Sequence, residues 1–600
     1  MEDKELPKNN SSEPEFIGPR ERLTPEPSVT DPLSDEQQPT SEPEPEVKPK
    51  PASTNSKWGR FRHWYGANKK KSIPATVAVV IAVVLIVPFT RYALASLVVS
   101  HDISVVVVDA KTNTPVSEAI VSATSGSSGT TSGAGLAILR GVKPGPTKIQ
   151  ITKVHYKNGS LDITIPVLNP KDVYSTKLDP TGRQVKVTLA DYINGESLAN
   201  AEIKVADVKA KTDKSGSAIV VVPVGPHSFP AELGLAGYNN KSVTLEVSDT
   251  EVKQNDFQLT PTGKVYFLSN RSGRIDVMKA NLDGSEQEVA LAGTGSERVN
   301  GTVLIASADW RYVALQARRD GSKDRVYIIN TSDDKLTTAD EGNADFNLVG
   351  WSGDNLVYSL TRTDLKSWQT GSGKLKSYNA ETGKIITLNQ TTGTGDVNNN
   401  LYEYYSLIFL TQENVVYGKG WTSQTPQEAD FTGKQETLSS ISANGQNNKV
   451  VASYDLATKS VDYAPHSPNS IYVLVRTEQN NQDDFYDYKI GSQPEKITLS
   501  LEEFYKGYPA FYPSPDASKT LWSEVRDGKN VLIVGGPEGD GGKTVAELDD
   551  HLAYGWFGAK YLLVAKDYSE LGAIGINGEA VQKITSYQPE SLYFARPSSY

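Results

Sequence analysis

The chain has 600 residues, 38% apolar and 22% charged, with a formal charge of −11 and no cysteine. That length exceeds one domain, and the negative balance argues against a nucleic-acid binder, whose footprint is a basic patch. Without cysteine there are no disulfides, no thiolate chemistry and no cysteine metal sites, so a large extracytoplasmic part must be stable through its core alone.

Residues 1–56 carry prolines every few positions and few apolar side chains, with the run PEPEPEVKPKP. Such a segment cannot bury enough surface to offset its ordering entropy and is expected to be a disordered cytoplasmic tail. Its Pro/Glu repeat favours an extended spacer; a docking tail is the alternative. In the basic segment 57–72, Lys57, Arg60, Arg62, Lys69, Lys70 and Lys71 alternate with Trp58, Phe61, Trp64 and Tyr65. Cations and aromatics of this kind mark a cytoplasmic membrane flank. From Ile73 to Thr90 no residue is charged, a run of about eighteen residues that is long enough for a membrane helix. The reading is one transmembrane helix and its flank over 73–99, N-terminus inside. Ala93-Leu94-Ala95 resembles a cleavage site. However, the preceding region is far too long for a signal peptide, so the helix reads as an uncleaved signal anchor.

From Ile103 the hydrophobic period becomes two, in short runs such as ISVVVVDA and TKIQITKV divided by Gly, Pro, Asn and Asp. The pattern then repeats from Val185, with Gly135 matched by Gly216, Gly145 by Gly225 and Tyr156 by Tyr238. An internal repeat of this length predicts two small antiparallel sandwiches, over 102–180 and 184–260. The marks Asp109, Thr112, Pro115, Thr131, Gly135, Gly145 and Tyr156 resemble the carboxypeptidase regulatory-like (transthyretin-like) domain. The second copy departs at the proline position, read as Leu198. The stretch VPVGPHSFPAELGLAGY also looks like a PEGA repeat. The resemblance implies a sandwich fold that acts as a spacer, an adhesive module or sometimes a glycan binder. With no exposed aromatic pair at a loop tip, the two copies read as a stalk.

Beyond residue 262 a looser repeat begins at Val265, Tyr312, Leu356, Val415, Ile471, Leu521 and Tyr561, spaced by 47, 44, 59, 56, 50 and 40 residues. Several short strands per unit of about fifty residues predict a β-propeller over 262–600. The first unit, VYFLSNRSGRIDVMKANLDGSEQ, resembles the TolB-like repeat through Phe267, Ser269, Arg271, Gly273, Ile275, Met278, Asp283, Gly284 and Ser285. The repeat counts seven blades, whereas the family often has six. Ring closure is expected to pair SLYFARP, 591–597, with the first blade.

No catalytic constellation emerges. Similar propellers occur in prolyl-oligopeptidase-type peptidases, but this chain has no G-x-S-x-G elbow. Asp483-Asp484 and Asp549-Asp550 read as solvated loop acids, and His155, His227, His466 and His551 are isolated. DVNNNLYE at 396–403 lacks the glycine an EF-hand loop needs, and PEGDGGK at 537–543 lacks Walker spacing. The candidate binding residues are Tyr402, Tyr404, Tyr405 and Trp421, of which the YEYY cluster follows a polar loop. The expectation is a mainly β protein with one transmembrane helix, two small sandwiches and a six- to seven-bladed propeller. It is read as a cell-membrane, single-pass, non-enzymatic binding or scaffold protein that needs no cofactor or metal. Its expected partner is an envelope or surface protein or a glycan, not nucleic acid. A propeller-based glycan hydrolase or lyase, or a sensor signalling through the tail, is the rival.

Overall fold

Two kinds of strand build this chain, and their burial tells them apart. In the computed structural model, the strand Gly145–Thr152 alternates between buried and exposed at every residue, whereas Val265–Ser269 is buried throughout. The first pattern belongs to a sheet with one wet face. The second belongs to a sheet covered on both faces. The structure describes residues 57–586 with Arg596 and Pro597, apart from 68, 87, 172, 322, 395–400, 412, 426–428, 507–509, 549 and 567–569. The expected tail 1–56 lies outside the described residues. The chain divides into two compact units, one reaching to Leu85 and one starting at Ile86.

The first unit holds helix α1, Lys57–Ala67, and most of helix α2, Lys69–Ile86. Tyr65 ties them together: its carbonyl accepts from Ser72 Oγ at 2.9 Å, and its hydroxyl accepts from Thr76 Oγ1 at 2.8 Å. Three lysines occupy the start of α2. Among the described residues no helix is long and apolar enough to cross a membrane. Val87 lies outside them, between α2 and the short helix α3, Pro88–Ala95.

The second unit begins its β structure with two sandwiches, each a three-stranded sheet against a four-stranded one. In each, the first and last strands run parallel, His101–Asp109 beside Val173–Leu178 and Arg183–Asp191 beside Lys253–Leu259. The inward residues form one core per sandwich, around Val105, Leu139 and Ile149 and around Val187, Ile203 and Leu233. The repeat extends to single hydrogen bonds. Thr131 Oγ1 donates to Val116 O at 2.7 Å and accepts from Ala119 N, and Thr212 does the same with Leu198 O and Ala201 N. Val116 therefore corresponds to Leu198. The partner of Pro115 is Ser197, since Val108 bridges Pro115 as Ala190 bridges Ser197. This corrects the sequence alignment at Leu198 by one residue. Gly135, at φ 70°, shows why glycine recurs here: an added Cβ would lie 2.5 Å from Val107 O.

Among the described residues seven further sheets follow. The first has three strands, Val265–Ser269, Asp276–Ala280 and Glu288–Leu291. The other six are four-stranded meanders starting at Val303, Ala344, Leu401, Lys459, Tyr512 and Leu552. Their first strands approach those of neighbouring sheets, so they line a common axis. Apolar clusters join sheets two to three, three to four, four to five and six to seven, and one large cluster joins seven, one and two. The result is a seven-bladed propeller. Tryptophans stitch it together. Trp351 Nε1 donates to Ile305 O at 3.1 Å and Trp556 Nε1 to Tyr512 O at 2.6 Å, each one blade back. Trp310 Nε1 reaches Trp556 O at 2.9 Å, passing over the three-stranded first blade.

Arg271 of the first-blade motif donates to Thr585 Oγ1 at 3.3 Å and to Ser586 O, tying blade 1 to blade 7. The strand Arg596–Pro597 pairs in parallel with Val303–Ala306 of blade 2 rather than with Val265–Ser269, and it lies between blades 2 and 7. Parallel pairing is natural there, because the innermost strands of a ring all run the same way. Residues 591–595 of the expected closing segment lie outside the described residues.

Candidate functional site

In an antiparallel meander, the first-to-second and third-to-fourth turns gather at one end. The second-to-third turns and the crossings between blades gather at the other. The second sandwich docks at the first of these ends. Ile193, 1% exposed, enters the cluster of Val265, Phe557 and Leu563, with Tyr192 beside it. Asp191 Oδ2 accepts from Tyr238 Oη at 2.7 Å and from Tyr561 Oη of blade 7. Gly575 is small because an added Cβ would meet Asn194 Cβ at 2.6 Å. A cleft of about 540 Å³ remains beside this joint, lined by Tyr266, Lys279, Arg311 and Phe557. Its cations are engaged, Lys279 with Asp334 and Glu288, Arg311 with Asp309 and Asp354.

The far end of the propeller is differently made. Val299, Tyr404, Leu501, Tyr505, Val525 and Leu552, all large and exposed, sit at its turns and crossings. Val289, Ile385 and Val450 are at the stalk end. Blade 4 has the longest strands among the described residues. Its strands Leu401–Leu410 and Asn414–Ser423 have ten residues each and pair from Leu410↔Val415 out to Leu401↔Ser423. A register shift between Tyr405 and Leu407 marks a bulge, which re-aims side chains.

The four sequence candidates lie on this hairpin but do not form one surface. Tyr405 is turned between blades 3 and 4, edge-on to Tyr417, with its hydroxyl donating to Asn389 Oδ1 at 3.2 Å. Burial pushes its phenol well up, so it stays neutral. Trp421 carries the Lys434 ammonium 3.9 Å from its ring centroid, a cation–π contact. Tyr402 is half-buried and bridges Gly393. Tyr404 is 41% exposed. Residues 396–400 of the calcium-like loop lie outside the described residues.

Sequence reasoning missed the acids around Tyr404. Glu403 is paired with Lys419 at 3.0 Å. Glu436, on the third strand of blade 4, is 3% exposed and accepts from Ser406 Oγ. Burial raises its pKa, and Asp462 adds to the rise while Ser406 and Tyr463 oppose it. Its place exists because Gly420 has no side chain: a Cβ there would lie 1.6 Å from Glu436 Oε2. Gly418 likewise makes room for Ser406 Oγ and the Tyr463 ring. Two glycines inside a strand, G-K-G at 418–420, were the available signal, since strand glycines mark close approach. Asp462, on the first strand of blade 5, is exposed and accepts from Tyr505 Oη at 2.9 Å. Tyr505 ends helix α4, Leu501–Tyr505. So short a helix is held by a capping box, with Glu503 N donating to Ser500 Oγ at 3.1 Å and Ser500 N to Glu503 Oε2 at 2.9 Å. Phe504 packs the helix onto Leu474 and Phe485. Tyr404, Glu436, Asp462 and Tyr505 thus share one patch.

Asp549 lies outside the described residues; the other candidate acids and histidines take part in ion pairs or stacks. Arg476 donates twice to Asp483, at 2.8 and 3.2 Å, and Lys496 to Asp484 at 2.7 Å. Asp550 meets Lys566 and His551 Nδ1. His466 stacks on Tyr472 at 4.0 Å, and His155 pairs with Asp207 at 3.1 Å. PEGDGGK forms a hairpin connection between Lys529–Gly535 and Lys543–Leu548. Among the described residues no group of three or more His, Asp or Glu could hold a metal.

No known family profile matches the chain, and no curated protein matches it. Among solved structures it is similar to an oligogalacturonate lyase from Vibrio parahaemolyticus, at 13% identity over 54% of this chain and 85% of that one, TM-score 0.30. It is also similar to the β-propeller domain of the trilobed protease from Pyrococcus furiosus, at 12% identity over 55% and 92%, TM-score 0.33. A third is TolB from Acinetobacter baumannii, at 9% identity over 52% and 74%, TM-score 0.23. These neighbours are β-propellers.

Proposed function

We propose that this chain is a membrane-anchored, extracytoplasmic binding protein whose two sandwiches form a stalk and whose propeller is the binding head. The carrying observation is that the second sandwich occupies one end of the propeller through Ile193 and Asp191, while exposed aromatic and aliphatic side chains gather at the other. Six such residues are exposed at that end against three at the stalk end, and exposed apolar surface is what interaction sites present. The anchor rests on the uncharged run from Ile73 to Thr90 with lysines before it and few cations after it. In this reading the sandwiches are carboxypeptidase regulatory-like spacers, and the partner is an envelope protein or glycan.

Two measurements test it on the full chain in its own membrane. Protease added to intact cells should remove the C-terminal bulk; protection of that bulk overturns the topology. A photocrosslinker in place of Tyr404 should trap a partner, whereas one in place of Val450, at the stalk end, should not. Equal trapping at both positions overturns the assignment of the binding end.

A further inference from the structure

We propose that the patch at the far end of blades 4 and 5 is a subsite for a neutral, hydroxyl-rich glycan. This rests on the binding-head reading and names its ligand class. Tyr404 and Tyr505 are 41% and 59% exposed and flank Asp462. Tyr505 donates to Asp462 at 2.9 Å, and Tyr404 feels both Asp462 and Glu436 electrostatically. Exposed phenol faces suit the C–H faces of pyranose rings, and a carboxylate beside them accepts from paired sugar hydroxyls. Glu436 points the same way. Burying a carboxyl is costly unless its hydrogen bonds are made, yet Gly418 and Gly420 leave room for this one beside Ser406 and Tyr463.

The charge decides between sugars. The local cations face acids: Arg476 and Lys496 are held by Asp483 and Asp484, Lys459 lies near Asp484, and Lys506, next to Tyr505, lies near Glu503 and Glu524. Asp462 is exposed on a chain whose formal charge is −11. A uronate would meet repulsion and no available guanidinium; a neutral sugar meets acceptors and rings.

The test uses the full chain in detergent, passed over immobilised chitohexaose, dextran and oligogalacturonate, and separately over envelope proteins. At least one neutral glycan should retain it. Tyr404→Ala and Tyr505→Ala should each weaken that retention about tenfold, the effect of losing an aromatic anchor. Val450→Ala, at the stalk end, should leave it unchanged. Gly420→Ala should also abolish retention by displacing Glu436, and the two tyrosine variants keep the test valid if that one fails to fold. Preference for oligogalacturonate, or neutral-glycan retention indifferent to both tyrosines, overturns the inference. Retention of an envelope protein that Tyr404→Ala abolishes, with no glycan retained, overturns it but spares the binding head. No retention by any arm overturns both.

Discussion

Asp109 and Asp191 stand at the same point in two copies of one sandwich, and what each does with its last lone pair differs. In both, Oδ1 accepts two backbone N–H groups of the following turn, at 2.8 and 2.9 Å for Asp109 and at 2.7 and 3.2 Å for Asp191. In both, Oδ2 accepts from a tyrosine 47 residues on, Tyr156 or Tyr238. The fourth partner comes from the next domain. It is Gln184 at 2.7 Å for the first copy and Tyr561 of the propeller for the second. A fully buried local lock thus doubles as an interdomain tie. The second tie sits against the apolar cluster of Ile193 and Phe557, while at the first the next domain adds Val221 to the apolar core beside polar contacts, Lys211 N to Ser117 Oγ at 2.6 Å and Lys211 to Glu118 at 2.7 Å. The propeller joint should therefore be the stiffer one.

The comparison can be broken most forcefully at the acids. Asp191→Ala orphans two hydroxyls and two backbone donors in a dry site, a loss of about 3–4 kcal/mol. Amide hydrogen exchange should quicken in both Arg183–Asp191 and Val265–Ser269. Asp109→Ala should cost about 2 kcal/mol and leave the propeller amides unchanged, since its outside partner is an amide on a wetter border. Equal effects of the two on propeller exchange would dissolve the distinction.

A pH scan sharpens it from the other side. Lys153 donates to Glu118 O at 3.3 Å and to Lys209 O, across the sandwich–sandwich joint. Burial pushes its pKa down to about 8, against the pull of Glu118. Between that value and the unfolded one near 10.4, the unfolded state binds more protons, so stability rises with pH, by up to about 3 kcal/mol. Below about 8 both states are protonated and the penalty is complete. Above about 10 the trend reverses, because Tyr156, raised by burial and Asp109, keeps its proton only when folded. Exchange at the first joint should slow from pH 8 to 10 after correction for the intrinsic rate, and Lys153→Met should flatten that change. No such rise is expected at the propeller joint.

The smallest effects come from the interdomain partners alone. Tyr561→Phe should loosen the propeller joint by about 1–2 kcal/mol and Gln184→Ala the sandwich joint by about 1 kcal/mol or less, read as local exchange. A larger effect for Gln184→Ala would invert the ranking.

Much of the fold was legible because its signals are local. Period-two burial in the sandwiches, the paired glycines and the seven similar strand openings all depend on residues within one strand or turn. Even so, the local marks misplaced one residue, setting Leu198 where Ser197 belongs, because only the bridge to Ala190 reveals the register. The candidate site was less legible. Tyr404 was readable as an aromatic after a polar loop, but its neighbours Tyr405 and Trp421 look the same in sequence and turn to a blade interface and a lysine instead.

By itself the sequence determined the class of structure and its order along the chain, since hydrophobic period and turn chemistry are carried by neighbouring residues. Only the tertiary structure decided that Asp191 meets Tyr561, 370 residues away, and that Glu436 sits beneath Gly420 near Asp462. Those meetings depend on how blades and sandwiches stack, and stacking is a property of whole sheets that no local pattern encodes.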